Sequence, residues 1–112
     1  YFSTNGVTPD IQDKRCSFVK GMFQDTLKDF LNTFKPKNKL IIHNDSDLYT
    51  STLFTLSKLS PFLVKDVIII FDEFSSTLHE MRAFQDFTSS HIVKYKILCH
   101  TKSYSQIAVI IL

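Results

Sequence analysis

The chain has no tryptophan, and only two glycines, three prolines and two cysteines among its 112 residues. With Gly6 and Gly21 alone, neither a G-x-G-x-x-G turn nor a Walker-type phosphate loop can be written anywhere in it. Long apolar runs are missing too. The longest, Ile107 to Leu112, is far short of the roughly 20 residues a membrane helix needs. Charge of one sign is also scarce: a net charge of +2 with lysines and acids interspersed gives no basic stripe, which argues against a nucleic-acid partner. The segment Tyr1-Phe2-Ser3-Thr4 lacks the charged and apolar regions of a signal peptide, so a cytoplasmic location is the default expectation, with no membrane partner. Cys16 and Cys99 lie far apart without metal-ligand spacing, and both adjoin apolar segments; reduced core thiols are expected.

What is present is a globular balance, 44% hydrophobic and 21% charged, with eleven phenylalanines to fill a core. Residues 1–14 read as an irregular opening segment, followed by a short strand Cys16–Lys20 closed by Gly21. A helix is expected from Asp25, which can cap it; Leu27, Phe30, Leu31 and Phe34 share one face, and Pro36 ends it. Lys39–His43 is an apolar strand without alternation, as when both faces of a sheet are covered. A helix over about Ser51–Ser60 follows, with Thr52, Leu56, Leu59 and Leu63 on one side. Val67–Phe71 is β-branched and apolar throughout, the pattern of a central parallel strand. A third helix, capped by Ser75 or Ser76, would present Leu78, Met81, Phe84 and Phe87. Two last strands, Ile92–Leu98 and Ile107–Leu112, joined around Lys102, suit an antiparallel hairpin. The alternation predicts an α/β sheet with parallel central strands in a single domain.

Acidic residues recur at two strand ends. Asp45 and Asp47 follow the strand ending at His43, and Asp72 and Glu73 follow the strand ending at Phe71. Ligands of open parallel sheets bind outside the carboxyl ends of the strands. Carboxylates crowded there need a proton or a cation, and magnesium takes oxygen ligands of this kind. A cation could then orient a hydroxyl, and a spare carboxylate could remove its proton. The alternative is structural: Asp47 as a helix cap and Asp72-Glu73 as a solvated turn.

Four segments, in order, carry a family likeness: Lys20-Gly21-Met22-Phe23-Gln24-Asp25-Thr26-Leu27, then His43-Asn44-Asp45-Ser46-Asp47-Leu48-Tyr49-Thr50-Ser51-Thr52, then Val67 to Phe74 (VIIIFDEF), and Glu80, Ala83, Phe84 and Phe87. Together they resemble the macrocin O-methyltransferase-like enzymes over residues 18–87. The resemblance implies that residues 1–112 are a single partial methyltransferase domain, the C-terminal part of a Rossmann-like methyltransferase fold with a terminal antiparallel hairpin. The first strands and the glycine-rich cofactor loop would lie outside it. It further implies methyl transfer from S-adenosylmethionine to a hydroxyl, such as that of a sugar or glycoside. Asp45, Asp72 and Glu73 would bind magnesium, and Asp47 would be the general base. Gly21, Phe23 and Gln24 would meet the cofactor, the latter two near its adenine. Glu73 stands where the family has a second Asp, and Lys65-Asp66 where it has a glycine pair.

Two other readings compete. Without the first strands, an exposed sheet edge would favour self-association of a non-catalytic fragment that keeps the acidic edge. A phosphoacceptor receiver-type domain also gathers acids at strand ends and would need Lys102 to face them. His43 is read as a satisfied buried histidine or as a hydrogen-bond partner of the acids, and Tyr49 as packing under its helix. The remaining histidines show no ligand spacing.

Overall fold

The computed structural model describes residues 5–112. Residues 5–22 are turns and irregular chain, so the expected strand Cys16–Lys20 does not form. The exposed side chains of Phe18 and Val19 show why: no neighbouring strand pairs with this segment or covers it. Helix α1 (Phe23–Thr33) begins two residues before the expected start, placing Asp25 in its first turn rather than at its cap. Strand β1 (Ile41–Asn44) leads into α2 (Tyr49–Leu59), which tightens into a 3-10 turn at Ser60–Phe62 where Pro61 supplies the first-turn proline. Strand β2 (Ile68–Phe71), α3 (Glu80–Ser90), β3 (Tyr95–His100) and β4 (Ile107–Ile111) complete the chain.

The four strands lie in the order β1-β2-β4-β3. β1 and β2 are parallel, while β4 is antiparallel to both β2 and β3. The sheet is therefore mixed: β1, β2 and β3 run one way and β4 is inserted against them. The terminal hairpin forms as expected, but the expectation of parallel central strands holds for one pair only. Side-chain chemistry accounts for the order. β4 alternates buried Ile107, Val109 and Ile111 and takes the interior place, whereas β3, with Lys96 and a register shift between Ile97 and Cys99, suits a solvated edge.

One face of the sheet carries the core. Val67, Ile69 and Phe71 of the β2 region and Ile107, Val109 and Ile111 of β4 pack against Leu56 of α2 and Phe84 and Phe87 of α3. Phe71 and Phe84 meet at 5.0 Å between ring centroids, and Tyr95 closes on Phe84 at 4.7 Å. Each fully buried phenylalanine contributes on the order of 2 kcal/mol from removal of apolar surface. α1 has no buried residue and rests on α2 and the 3-10 turn, with Phe34 5.7 Å from Phe62. The opposite sheet face, with Ile41, Ile68, Ile70, Ala108 and Ile110, remains partly open, and Ile41 is 57% exposed.

Several further expectations are corrected. Cys16 and Cys99 are both free and exposed, one on irregular chain and the other on the edge strand. His43 is exposed because it points off the face that Asn44 buries. Residues 72–79 form turns instead of the start of α3, since the amides of Phe74, Ser76 and His79 bond to Ser105, Glu73 and Ser76 carbonyls. Leu78 consequently lies at the surface, 76% exposed.

Candidate functional site

Parallel pairing of β1 and β2 sets Asn44 opposite Phe71, so Asp45 and Asp72 are the next positions in register. The Asp72 amide donates to the Asn44 carbonyl at 3.2 Å, carrying the pairing one step past the strands. The acidic residues of both loops thus share the carboxyl edge of adjacent strands, as the sequence pattern predicts. Gln106 precedes β4 at the same end of the sheet, and its Nε2 donates to Asp72 Oδ1 at 2.7 Å.

Beneath this edge lies a buried polar cluster. Glu80, the first residue of α3, is fully buried. Its Oε1 accepts from Asn44 Nδ2 at 2.6 Å and from the Ser46 amide at 3.3 Å, and its Oε2 accepts from the Glu73 amide at 2.9 Å. Thr52, also fully buried, joins through its hydroxyl to Asn44 Nδ2 at 3.3 Å and to Ser46 Oγ at 2.8 Å. Burial pushes the Glu80 carboxyl above its ordinary range, and the converging N–H donors pull it partly back. Position at the start of a helix adds a favourable dipole.

Asp47 is exposed and adopts φ 57°, a left-handed conformation that Asp tolerates better than most side chains. It does not cap α2, whose cap position is Leu48. The three expected metal ligands do not form a cage. Among the described residues, no three His, Cys, Asp or Glu side chains are grouped to hold a metal ion, Asp45, Asp72 and Glu73 included. Asp72 accepts from Gln106, beside β4, and the Glu73 amide donates inward to Glu80.

Gly21, Phe23 and Gln24 line one cavity of 160 Å³ with Met22 and Ser51. Phe23 also lines a neighbouring cavity of 700 Å³ with Phe18, Val19, Leu27, Phe30 and His43, a volume in the range of small-molecule sites. Gly21 has φ 145°, and a Cβ there would stand 2.6 Å from Thr26 Cγ2, so the turn into α1 requires glycine.

Comparison with known proteins bears on this arrangement. The family model for macrocin-O-methyltransferase (TylF) matches residues 4–100. The chain belongs to the macrocin O-methyltransferase family. No curated protein and no solved structure gives a match. Membership makes this a chain of a methyltransferase family, for which S-adenosylmethionine is the methyl donor that the family implies. Among the described residues, no helix is long and apolar enough to cross a membrane.

For this family member, two residues of consequence escaped the sequence reading. Glu80 was noted only as part of the likeness, and Gln106 not at all. Glu80 had a signal: it stands at i relative to Ala83, Phe84 and Phe87 at i+3, i+4 and i+7, an acid on an otherwise apolar helix face.

Proposed function

We propose that this chain carries the acidic edge and the adenine-side cavity of an S-adenosylmethionine-dependent O-methyltransferase acting on a hydroxyl of a sugar or other natural product. The observation that carries the reading is the pairing of β1 with β2. It sets Asp45 and Asp72 in register, with Asp47 and Glu73 on the same loops, in a chain whose family transfers methyl groups. The sheet order supports a Rossmann-like assignment, because a reversed strand between the last two parallel-running ones is the terminal antiparallel hairpin that the resemblance implies.

S-adenosylmethionine, when bound, supplies a methyl carbon activated by positive sulfur, which leaves as a neutral thioether. Phe23 offers an aromatic face and Gln24 an amide for the adenine, beside the Ser51 hydroxyl. Asp47, exposed at the edge, accepts the proton that the acceptor hydroxyl loses as its oxygen bonds to the methyl carbon. Magnesium belongs to the family expectation for Asp45, Asp72 and Glu73. As placed, these side chains do not enclose an ion, so no step is routed through one.

The test is amide chemical-shift mapping with S-adenosylhomocysteine. Shifts at Gly21, Phe23, Gln24 and Ser51, with weak, non-saturating binding below millimolar ligand, are expected, since no glycine-bearing methionine loop is present in these residues. Absence of shifts at those four positions would refute the cofactor assignment. In a protein that holds the complete cofactor site, Asp47→Asn is expected to abolish methyl transfer while leaving cofactor affinity unchanged.

A second reading, self-association of a non-catalytic chain, draws on the partly open sheet face and the free outer edge of β1, which pairs only with β2 among the described residues. A receiver-type domain is disfavoured by the match to a methyltransferase family; Lys102 lies exposed in the turn between β3 and β4.

A further inference from the structure

The acidic edge is built from two loops that share no direct side-chain bond with each other. Residues 45–48 follow β1 and residues 72–79 follow β2. Among the described residues, the carboxylate of Glu80 is bonded to both. One oxygen takes Asn44 Nδ2 at 2.6 Å and the Ser46 amide at 3.3 Å; the other takes the Glu73 amide at 2.9 Å. Asp47 has a left-handed backbone, a conformation that costs a non-glycine residue free energy unless its surroundings hold it.

We propose that Glu80 is the positioning residue of this site: its carboxylate ties the loop bearing Asp47 to the loop bearing Glu73 and so sets the distance between the proposed base and the acids of the second strand. This rests on reading the edge as the reaction site. Glu80 itself touches no substrate; it is fully buried and works through the backbone. A carboxylate suits the position, because Asn44 Nδ2 and the Ser46 and Glu73 amides bonded to it are all donors. A glutamine there has one acceptor oxygen and turns an NH2 toward N–H groups, so at least one loop is released. An aspartate keeps the charge but is one methylene too short to reach both loops.

Amide hydrogen exchange and proton shifts of the protein and of Glu80→Gln test this. In the variant, the Ser46 and Glu73 amides move upfield and exchange about tenfold or more faster, the loss expected for one charge-assisted hydrogen bond. The amides of Ile69 and Val109 in the sheet keep their protection. Uniform acceleration across Ile69, Val109 and the loops would reduce Glu80 to a general stabiliser and overturn the proposal, as would unchanged loop amides. Should Glu80→Gln not fold, Glu80→Asp provides the same comparison with charge retained, and release of the Glu73 amide is expected. These readouts need no methyl transfer. Failure of the methyltransferase reading appears instead as absent shifts at Gly21, Phe23, Gln24 and Ser51 with S-adenosylhomocysteine, so the two outcomes stay separate.

Discussion

Gln106 Nε2 donates to Asp72 Oδ1 at 2.7 Å, holding an acid of the β2 edge against the antiparallel neighbour β4 rather than toward β1. The register alone would bring Asp45 and Asp72 side by side, and this hydrogen bond opposes it. Divalent cation uptake that draws Asp72 toward Asp45 would compete with the Asp72–Gln106 bond.

An exposed amide-to-carboxylate bond of this kind contributes about 1 kcal/mol net, so its removal is worth several-fold in affinity. Magnesium titration followed at the Asp45 and Asp72 amides is expected to show weak uptake, tightened roughly three- to tenfold in Gln106→Leu. Equal affinity in both proteins would mean that Gln106 does not restrain Asp72.

Glu80 predicts a pH dependence of stability. Its carboxyl is raised above the ordinary value of 4.5, chiefly by burial, so the folded protein holds this proton more tightly than the unfolded chain. The associated stability is fully present below the ordinary value and is lost as pH rises through the raised one. Asp13 and Asp86 are lowered by Arg15 and Arg82 and slope the other way, but they are common to wild type and Glu80→Gln and cancel in the comparison. Urea unfolding should thus give wild type a lead over Glu80→Gln that narrows between pH 4 and pH 8. A lead that widens would show that the donors, not burial, dominate. Because burying the charge costs free energy that its hydrogen bonds offset, Glu80→Gln is expected at pH 8 to loosen the loops with little change in global stability.

Much of this architecture could be read from residue pattern, and the failures have physical causes. Val67–Phe71 and Ile107–Leu112 announce strands because β-branched runs suit little else, and Thr52, Leu56 and Leu59 are buried as their spacing predicts. Sheet direction was not legible. An apolar run looks alike beside a parallel or an antiparallel neighbour, and β2 has one of each. The acids at the strand ends fall at adjacent positions in register, yet the partner that Asp72 takes, Gln106, lies more than 30 residues away, where local pattern does not reach. A helix starting at Ser75 or Ser76 places Leu78 on the apolar face and hides Glu80; the observed helix starts at Glu80, which is buried.

Asp66 occupies the turn before β2 with φ 71°, the left-handed region, while its amide donates to the Ile111 carbonyl at 2.9 Å. Glycine adopts this conformation without a Cβ penalty and keeps the amide. Asp66→Gly is therefore expected to raise stability by about 0.5–1 kcal/mol, net of the added freedom of the unfolded chain. A higher thermal midpoint checks it; a lower one would show that the Asp66 side chain contributes more than its backbone costs.

The partly open sheet face sets the last expectation. Ile41 at the free edge strand is 57% exposed, and Ile68, Ile70 and Ile110 extend the same face across β2 and β4. Contiguous apolar surface next to an unpaired strand edge draws in a second surface, because it buries area and satisfies backbone donors and acceptors at once. Light scattering across a range of concentrations should show mass rising above 13.0 kDa. Ile41→Lys places a charge at that edge, and the desolvation it would need on pairing restores the monomer while leaving the core of Phe71, Phe84 and Phe87 untouched. A monomer at every concentration in the unaltered chain would remove self-association as a reading of this face. A variant that still associates would move the contact to the other edge, β3, where Ile97 and Leu98 are exposed.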